Sequence, residues 1–266
     1  MPHPLLLIHG FTGEPRAWDP LVRRLGDAFE VHAPATLGHA GGPPVPADMS
    51  HPREAMADAL EAELDARGWE TAHLVGSSLG GQLALELAGR GRARSVVALA
   101  PGGGWTEQQA VERVGRLFLR TRRGLPVGRR FAHRLAARPR LRKLAIGVFV
   151  AHPERVPPAV SEAMITGAAE CAIFDHIIAA NEGEGWLRRE IGAVDVPVRV
   201  VWGTRDRILP LAHASGHWRE TLAGADWVEL EGAGHLPWLD EPDRVAQLVT
   251  EWALAAERES ARTQVH

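Results

Sequence analysis

Tyrosine is absent from this 266-residue chain, cysteine occurs once, as Cys171, and lysine once, as Lys143. A single cysteine excludes an intramolecular disulfide framework and any cysteine-rich zinc site. Lys143 follows Arg142 rather than glycine, so there is no Walker A phosphate loop. No apolar run approaches the roughly 18 residues of a membrane span, and no integral membrane segment is expected. The net charge of −3 gives the whole chain no electrostatic footprint for nucleic acid. Haem, flavin and nicotinamide chemistry finds no supporting motif, and no His/Asp/Glu set stands at metal-ligand spacing, so neither cofactor nor metal is expected. Met1-Pro-His-Pro and the Leu5–Ile8 run lack the basic start and long apolar stretch of a secretory leader, so a cytoplasmic protein is expected.

What the chain does have is an ordinary globular balance, 45% hydrophobic and 24% charged. Short apolar runs at 5–8, 29–33, 72–75, 95–100, 196–202 and 227–230 predict six strands. Helical patterns at 16–25, 52–67 and 79–91 fall between the first four, and another runs from about 242 to 257. This alternation predicts an α/β fold with a mostly parallel sheet of about six strands flanked by helices. The 95 residues from Gly102 to Val196 break the rhythm. They are too many for a structureless loop and predict a helical insertion, which divides the chain into a core (1–101 and 194–266) and a cap (102–193). Twelve Lys/Arg and no Asp or Glu lie between Arg113 and Lys143. A solvated arginine-rich face is the plain reading; an anionic ligand, carrier or headgroup at a basic cap is the sharper one.

Chemistry concentrates at Gly76-Ser77-Ser78-Leu79-Gly80, directly after a predicted strand and before a predicted helix. This is a G-x-S-x-G nucleophile elbow in its required context. The sharp turn strains the serine backbone and lifts its hydroxyl above the sheet, while side chains two positions either way would clash. A serine needs a base oriented by an acid. Asp206 follows the strand ending at Trp202, and His235 lies in the loop Gly232-Ala-Gly234-His235, giving the order Ser78, Asp206, His235. The amides of Phe11, in His9-Gly10-Phe11, and of Leu79 are the expected oxyanion donors. His9 is read as a structural hydrogen-bonder of that loop. Trp105 and Trp186 are candidate substrate-pocket walls, although ordinary packing is the plainer reading of both, large aromatics being usually just buried; Trp18 and Trp238 also approach the site by sequence. Cys171 is read as core, and Asp175, His176 and Glu182 as belonging to the insertion's surface or packing.

His-Gly-Phe at 9–11, Leu37-Gly-His-Ala-Gly41, Gly-Ser-Ser-Leu-Gly-Gly at 76–81, Gly-Thr-Arg-Asp at 203–206 and Gly-Ala-Gly-His at 232–235 together resemble the α/β-hydrolase superfamily, in its group with an HGF oxyanion loop and a helical cap. The resemblance spans roughly 5–101 and 194–256. It implies a serine hydrolase acting on a small-molecule carboxylic ester or thioester; a monomer or homodimer is expected, with the oligomeric state left open. It also implies a smaller sheet than usual, because the customary hairpin before the first strand is missing. Haloalkane dehalogenases and epoxide hydrolases of this superfamily attack with aspartate, and the latter polarise the epoxide with cap tyrosines; here position 78 is serine and tyrosine is absent. A carbon–carbon bond hydrolase of the dienoate type remains an alternative, weakened because Leu236 and Pro237 separate His235 from Trp238. So does a small-molecule-binding protein on the same scaffold, and an acyltransferase shares the acyl-enzyme.

Overall fold

The computed structural model describes residues 1–181 and 191–263. Six strands form one parallel sheet: β1 (His3–Ile8), β2 (Phe29–His32), β3 (Ala72–Ser77), β4 (Ala93–Leu99), β5 (Val198–Gly203) and β6 (Asp226–Leu230), in the order β2-β1-β3-β4-β5-β6. Parallel strands with covered faces need apolar residues on both, and the period of two sorts them. Leu6, Ile8, Leu74, Val96, Ala98, Val200 and Trp202 enter one core; Leu5, Leu7, Val75, Val97, Leu99 and Val201 enter the other. The first core is covered by α2 (Pro52–Ala66) and α3 (Leu79–Gly89), the second by α1 (Asp19–Leu25) and the C-terminal helix.

Strand order reverses at β1, whose neighbours are β2 and β3. Crevices outside the carboxyl ends of strands at such a switch point are where open α/β sheets bind ligands. The loop from His9 to Gly13 leaves β1 there, and Ser78 follows β3 there.

Between β4 and β5 the chain forms the helical insertion: α4 (Gln108–Arg122), α5 (Leu125–Arg130), α6 (Ala132–Ala137), α7 (Pro139–Ile146), α8 (Pro158–Ala169) and α9 (Phe174–Asn181). Helices α10 (Leu211–Ala214) and α11 (Gly216–Thr221) follow β5, and α12 (Pro237–Asp240) and α13 (Pro242–Thr263) follow β6. Among the described residues no single helix is long and apolar enough to cross a membrane.

Two boundaries differ from expectation for local reasons. The predicted helix at 16–25 is a 3-10 turn at Pro15–Trp18 followed by α1, because Pro20 lacks an N–H and is tolerated only in a first turn. The last helix continues past Glu257 to Thr263, since no glycine or proline interrupts it after Pro242.

Packing at the switch point is set by backbone contact. A Cβ at Gly80 would stand 2.1 Å from the Ile8 carbonyl oxygen, and one at Gly76 would stand 2.1 Å from the Gly80 carbonyl oxygen. Helix α3 therefore lies directly on the ends of β1 and β3. Gly115, inside α4, is the opposite case: an added Cβ meets nothing within 4 Å. Gly80→Ala should cost about 3 kcal/mol by overpacking a rigid contact, whereas Gly115→Ala should stabilise by about 0.5–1 kcal/mol by relieving helix entropy. Urea midpoints of the two variants, moving in opposite directions from wild type, check this.

Candidate active site

Ser78 caps α3 with φ 54° and ψ −118°. Such a backbone is strained for a residue with a Cβ, and the strain holds because the Ser78 amide donates to the Leu99 carbonyl while its own carbonyl accepts from Gln82 and Gly102. Thr12 (φ 60°) and Ala100 (φ 43°), in the adjoining loops, are the other positive-φ non-glycine residues among those described. Strain is thus collected around one point. Ser77 is fully buried and Ser78 is half-buried, so Ser78 is the hydroxyl that reaches the cavity. The Leu79 amide opens α3, where the leading N–H groups have no intrahelical acceptor. Gly10 packs against the elbow from the other side, and a Cβ there would meet Ser78 Cβ at 3.0 Å. Glycine at 10 therefore brings the loop carrying Phe11 close to the serine.

Asp206 and His235 meet, although 29 residues separate them. His235 Nδ1 lies 2.7 Å from Asp206 Oδ2, both side chains being buried. The other oxygen, Oδ1, accepts from the amides of Ile208 and Leu209 at 2.8 Å each. Those donors fix the carboxylate, which in turn directs the imidazole so that Nε2 is its free edge. Gly203 makes room for this pairing, since a Cβ there would stand 2.2 Å from the Gly234 carbonyl oxygen. Ser78 and His235 line one cavity of about 810 Å³, mostly apolar, together with Phe11 and with Phe118, Phe131 and Met164 of the insertion.

The loop at 9–13 is pinned by a pair of imidazoles. The Thr36 amide donates to His9 Nε2 at 3.1 Å, and the Thr12 amide donates to His39 Nε2 at 3.2 Å. The Thr36 hydroxyl lies 2.9 Å from His39 Nδ1, and the rings pack edge to face at 4.8 Å. Both Nε2 atoms act as acceptors and must be unprotonated. Burial enforces this, lowering His9 to about 4 and His39 to about 3. The loop His39 occupies is the Leu37–Gly41 motif, which supports reading His9 as a structural hydrogen-bonder.

Asp240 carries no signal in the sequence, yet its buried carboxylate gathers three backbone amides. Oδ2 accepts from Gly234 at 2.8 Å and from Ala151 at 3.0 Å, and Oδ1 accepts from His152 at 2.7 Å. It thereby ties the histidine loop to the segment after α7, which is reinforced by the Leu236 amide donating to the Phe149 carbonyl. Only the fold brings these three segments together; no local spacing announces it.

Trp105 is buried and lines a small compartment beside Ser78. Trp186 and Glu182 lie outside the described residues. Trp238 reaches the large cavity, whereas Trp18 stacks beneath it at 4.1 Å, fully buried. Burial pushes the Cys171 thiol up to about 12, which fits a packing role. Asp175 pairs with Arg122 on the insertion surface. The ligand atoms of His3, His73 and Glu257 lie within 4.8 Å of one another, but at the amino ends of β1 and β3, far from the elbow, and Arg94 is bound to the same carboxylate.

Two measurements follow from these contacts. Between pH 6.5 and about 4, unfolded His9 and His39 take up protons that the folded chain refuses, so stability rises with pH through this window and is complete above it. Urea midpoints at pH 7 and 5 should fall on acidification, and His39→Gln, which retains an acceptor for Thr12, should fall less steeply. Asp240→Ala strands three backbone N–H groups and should cost about 3 kcal/mol or more in the same titration, with Asp240→Asn intermediate.

Comparison with known proteins agrees with this architecture. Residues 5–248 match the alpha/beta hydrolase family. The chain is similar to "Epoxide hydrolase EphH" of Mycobacterium tuberculosis, 38% identical over 198 residues, covering 73% of this chain and 92% of that protein. It is 30% identical over 254 residues to a pimeloyl-(acyl-carrier protein) methyl ester esterase of Aromatoleum aromaticum, covering 92% of this chain and 96% of that one. Among solved structures, a thermophilic esterase from Thermogutta terrifontis superposes with a TM-score of 0.70 at 25% identity, over 96% of this chain and 90% of the esterase. With its parallel sheet and helical insertion, the chain belongs to the alpha/beta hydrolase family and is a hydrolase.

Proposed function

We propose that the protein is a serine hydrolase that cleaves a carboxylic ester or thioester through an acyl-enzyme on Ser78. The observation that carries this reading is the strained, half-buried Ser78 on the wall of the same cavity as His235, whose Nδ1 is held 2.7 Å from the buried Asp206 carboxylate. His235 removes the Ser78 proton, Asp206 fixes its tautomer and stabilises the imidazolium, and the serine oxygen attacks the acyl carbon. The amides of Phe11 and Leu79 take the developing oxyanion, each contributing about 3 kcal/mol. His235 then protonates the leaving group, and water, activated by the same histidine, releases the acid. The 102–193 insertion acts as a cap that supplies most of the cavity wall.

The name of the mycobacterial relative raises epoxide opening as a second reading. Chemistry at position 78 speaks against it. An aspartate opening an epoxide forms an ester, which water cleaves at its acyl carbon. A serine would form an ether, which offers no carbonyl to attack and would trap the enzyme. No tyrosine is present to donate a proton to the epoxide oxygen. Against dienoate cleavage stand Leu236 and Pro237 between His235 and Trp238, and against a pure binding protein stands the complete Ser78, Asp206 and His235 set. Three of the twelve basic side chains between Arg113 and Lys143 are paired with carboxylates among the described residues, as Arg116–Glu112, Arg122–Asp175 and Arg129–Glu170. Arg120 and Arg134, however, line the large cavity without a carboxylate partner among the described residues. They are the groups we assign to an anionic end of the ligand.

Ser78→Ala should lower turnover of p-nitrophenyl esters by roughly 10⁴-fold or more. Turnover that survives the substitution removes Ser78 as nucleophile, and diol formation from styrene oxide that depends on Ser78 would replace this reading by the epoxide one.

A further inference from the structure

Two compartments of very different size meet at Ser78. The larger, about 810 Å³, is bordered by Ser78, Phe11 and His235 and runs beneath α4 to α8. The smaller, about 50 Å³, is bordered by Ser78, Phe11 and Leu79, with Trp105, Val114 and Ile177 around it; His235 is not on its wall. Phe11 and Phe118 border both, with their ring centroids 4.8 Å apart, and stand between them.

Reaction geometry decides which part of the substrate enters each. The tetrahedral carbon carries four groups: the serine oxygen, the oxyanion, the acyl carbon and the leaving oxygen. The oxyanion faces the amides of Phe11 and Leu79. The leaving oxygen must accept a proton from His235, so the group attached to it extends into the compartment that His235 borders. The acyl carbon is left with the remaining direction, toward Leu79 and Trp105. We propose, building on the acyl-enzyme reading, that the substrate is an ester or thioester of a short acyl group with a large alcohol or thiol, apolar along most of its length, and that Phe118 is the partition that sets this division. At about 50 Å³ against about 810 Å³, the small compartment suits a short acyl group. The large one falls in the range of roughly 300–1,000 Å³ found for sites that engulf a drug-sized molecule.

Walls around the small compartment are firm. Trp105 and Phe118 are each 7% exposed and Leu209 is 1% exposed. Trp218, packed on Gly103 and donating its indole N–H to the Gly102 carbonyl, holds the segment that leads to Trp105. A long acyl chain would have to displace this packing, whereas a long alcohol meets open space.

The test uses two isomeric esters of equal composition, decyl acetate and ethyl decanoate, which differ only in the side of the carbonyl that bears the chain. Wild type should show a kcat/KM at least about tenfold higher for decyl acetate, the scale on which one or two misplaced methylenes discriminate. Phe118→Ala should raise the decanoate rate and bring the ratio toward one. Gly115→Leu, at a position with room for a side chain on the rim of the small compartment, should lower the rate on decyl butyrate more than on decyl acetate; it serves should Phe118→Ala fold poorly. Ser78-dependent turnover that is equal for the two isomers, or favours ethyl decanoate, overturns the assignment and leaves the acyl-enzyme reading standing. No Ser78-dependent turnover of either isomer, nor of p-nitrophenyl acetate, overturns both.

Discussion

Everything at the reacting end of the sheet depends on backbone touching backbone where β1, β3 and α3 converge. Gly76 and Gly80 leave no room for a methyl group, and Gly10 brings the first loop against the elbow from above. These contacts force Ser78 into a left-handed conformation, which aims its side chain out of the sheet and brings the first amide of α3 beside it. The cost of such strain, of order 1–3 kcal/mol per residue, is spread over the parallel ladder beneath, whose central strands are almost wholly inaccessible. Stability of the sheet and placement of the Ser78 hydroxyl are one problem with one solution.

Around that contact, polar groups serve position more than charge. Asp206 spends one oxygen on two backbone amides and the other on His235. Asp240 does the same with three amides, and the paired imidazoles of His9 and His39 stay neutral so that they can accept from backbone. Each is a buried polar group held by hydrogen bonds, most of them to main chain, the form in which burial of such groups is tolerated. Their common effect is that three loops from distant parts of the chain are fixed relative to one another around one half-buried hydroxyl.

The core was legible from sequence because its signals are local. Glycines bracketing Ser78 sit between a β-rich run and a helical run, and Asp206 and His235 each follow a strand end, so strand order alone sends them to the same edge. Asp240 was not legible: an aspartate between Pro237 and Pro242 looks like any helix-end residue until the insertion folds back and offers it Ala151 and His152. Phe118 was hidden for the same reason, and by the arginines around it, which drew attention to the exposed face of α4 rather than to the apolar side it presents to Phe11 and Phe149. The size of each compartment depends on six short helices whose mutual packing no periodicity encodes.

The division of labour along the chain has an evolutionary corollary. Positions that fix Ser78 are glycines in contact with main chain, where every substitution is a clash. Positions that line the large cavity are mostly side chains of α4 to α8, separated from the elbow by tens of residues and by the exit of the chain at Pro101–Gly104. Val127, Phe131 and Leu144 already stand partly in solvent at its rim. Changes there alter the volume offered to a ligand without disturbing a single contact at the elbow. Such a chain can drift in what it admits while its chemistry is held fixed, and relatives with closely similar cores are free to bear names that describe very different substrates.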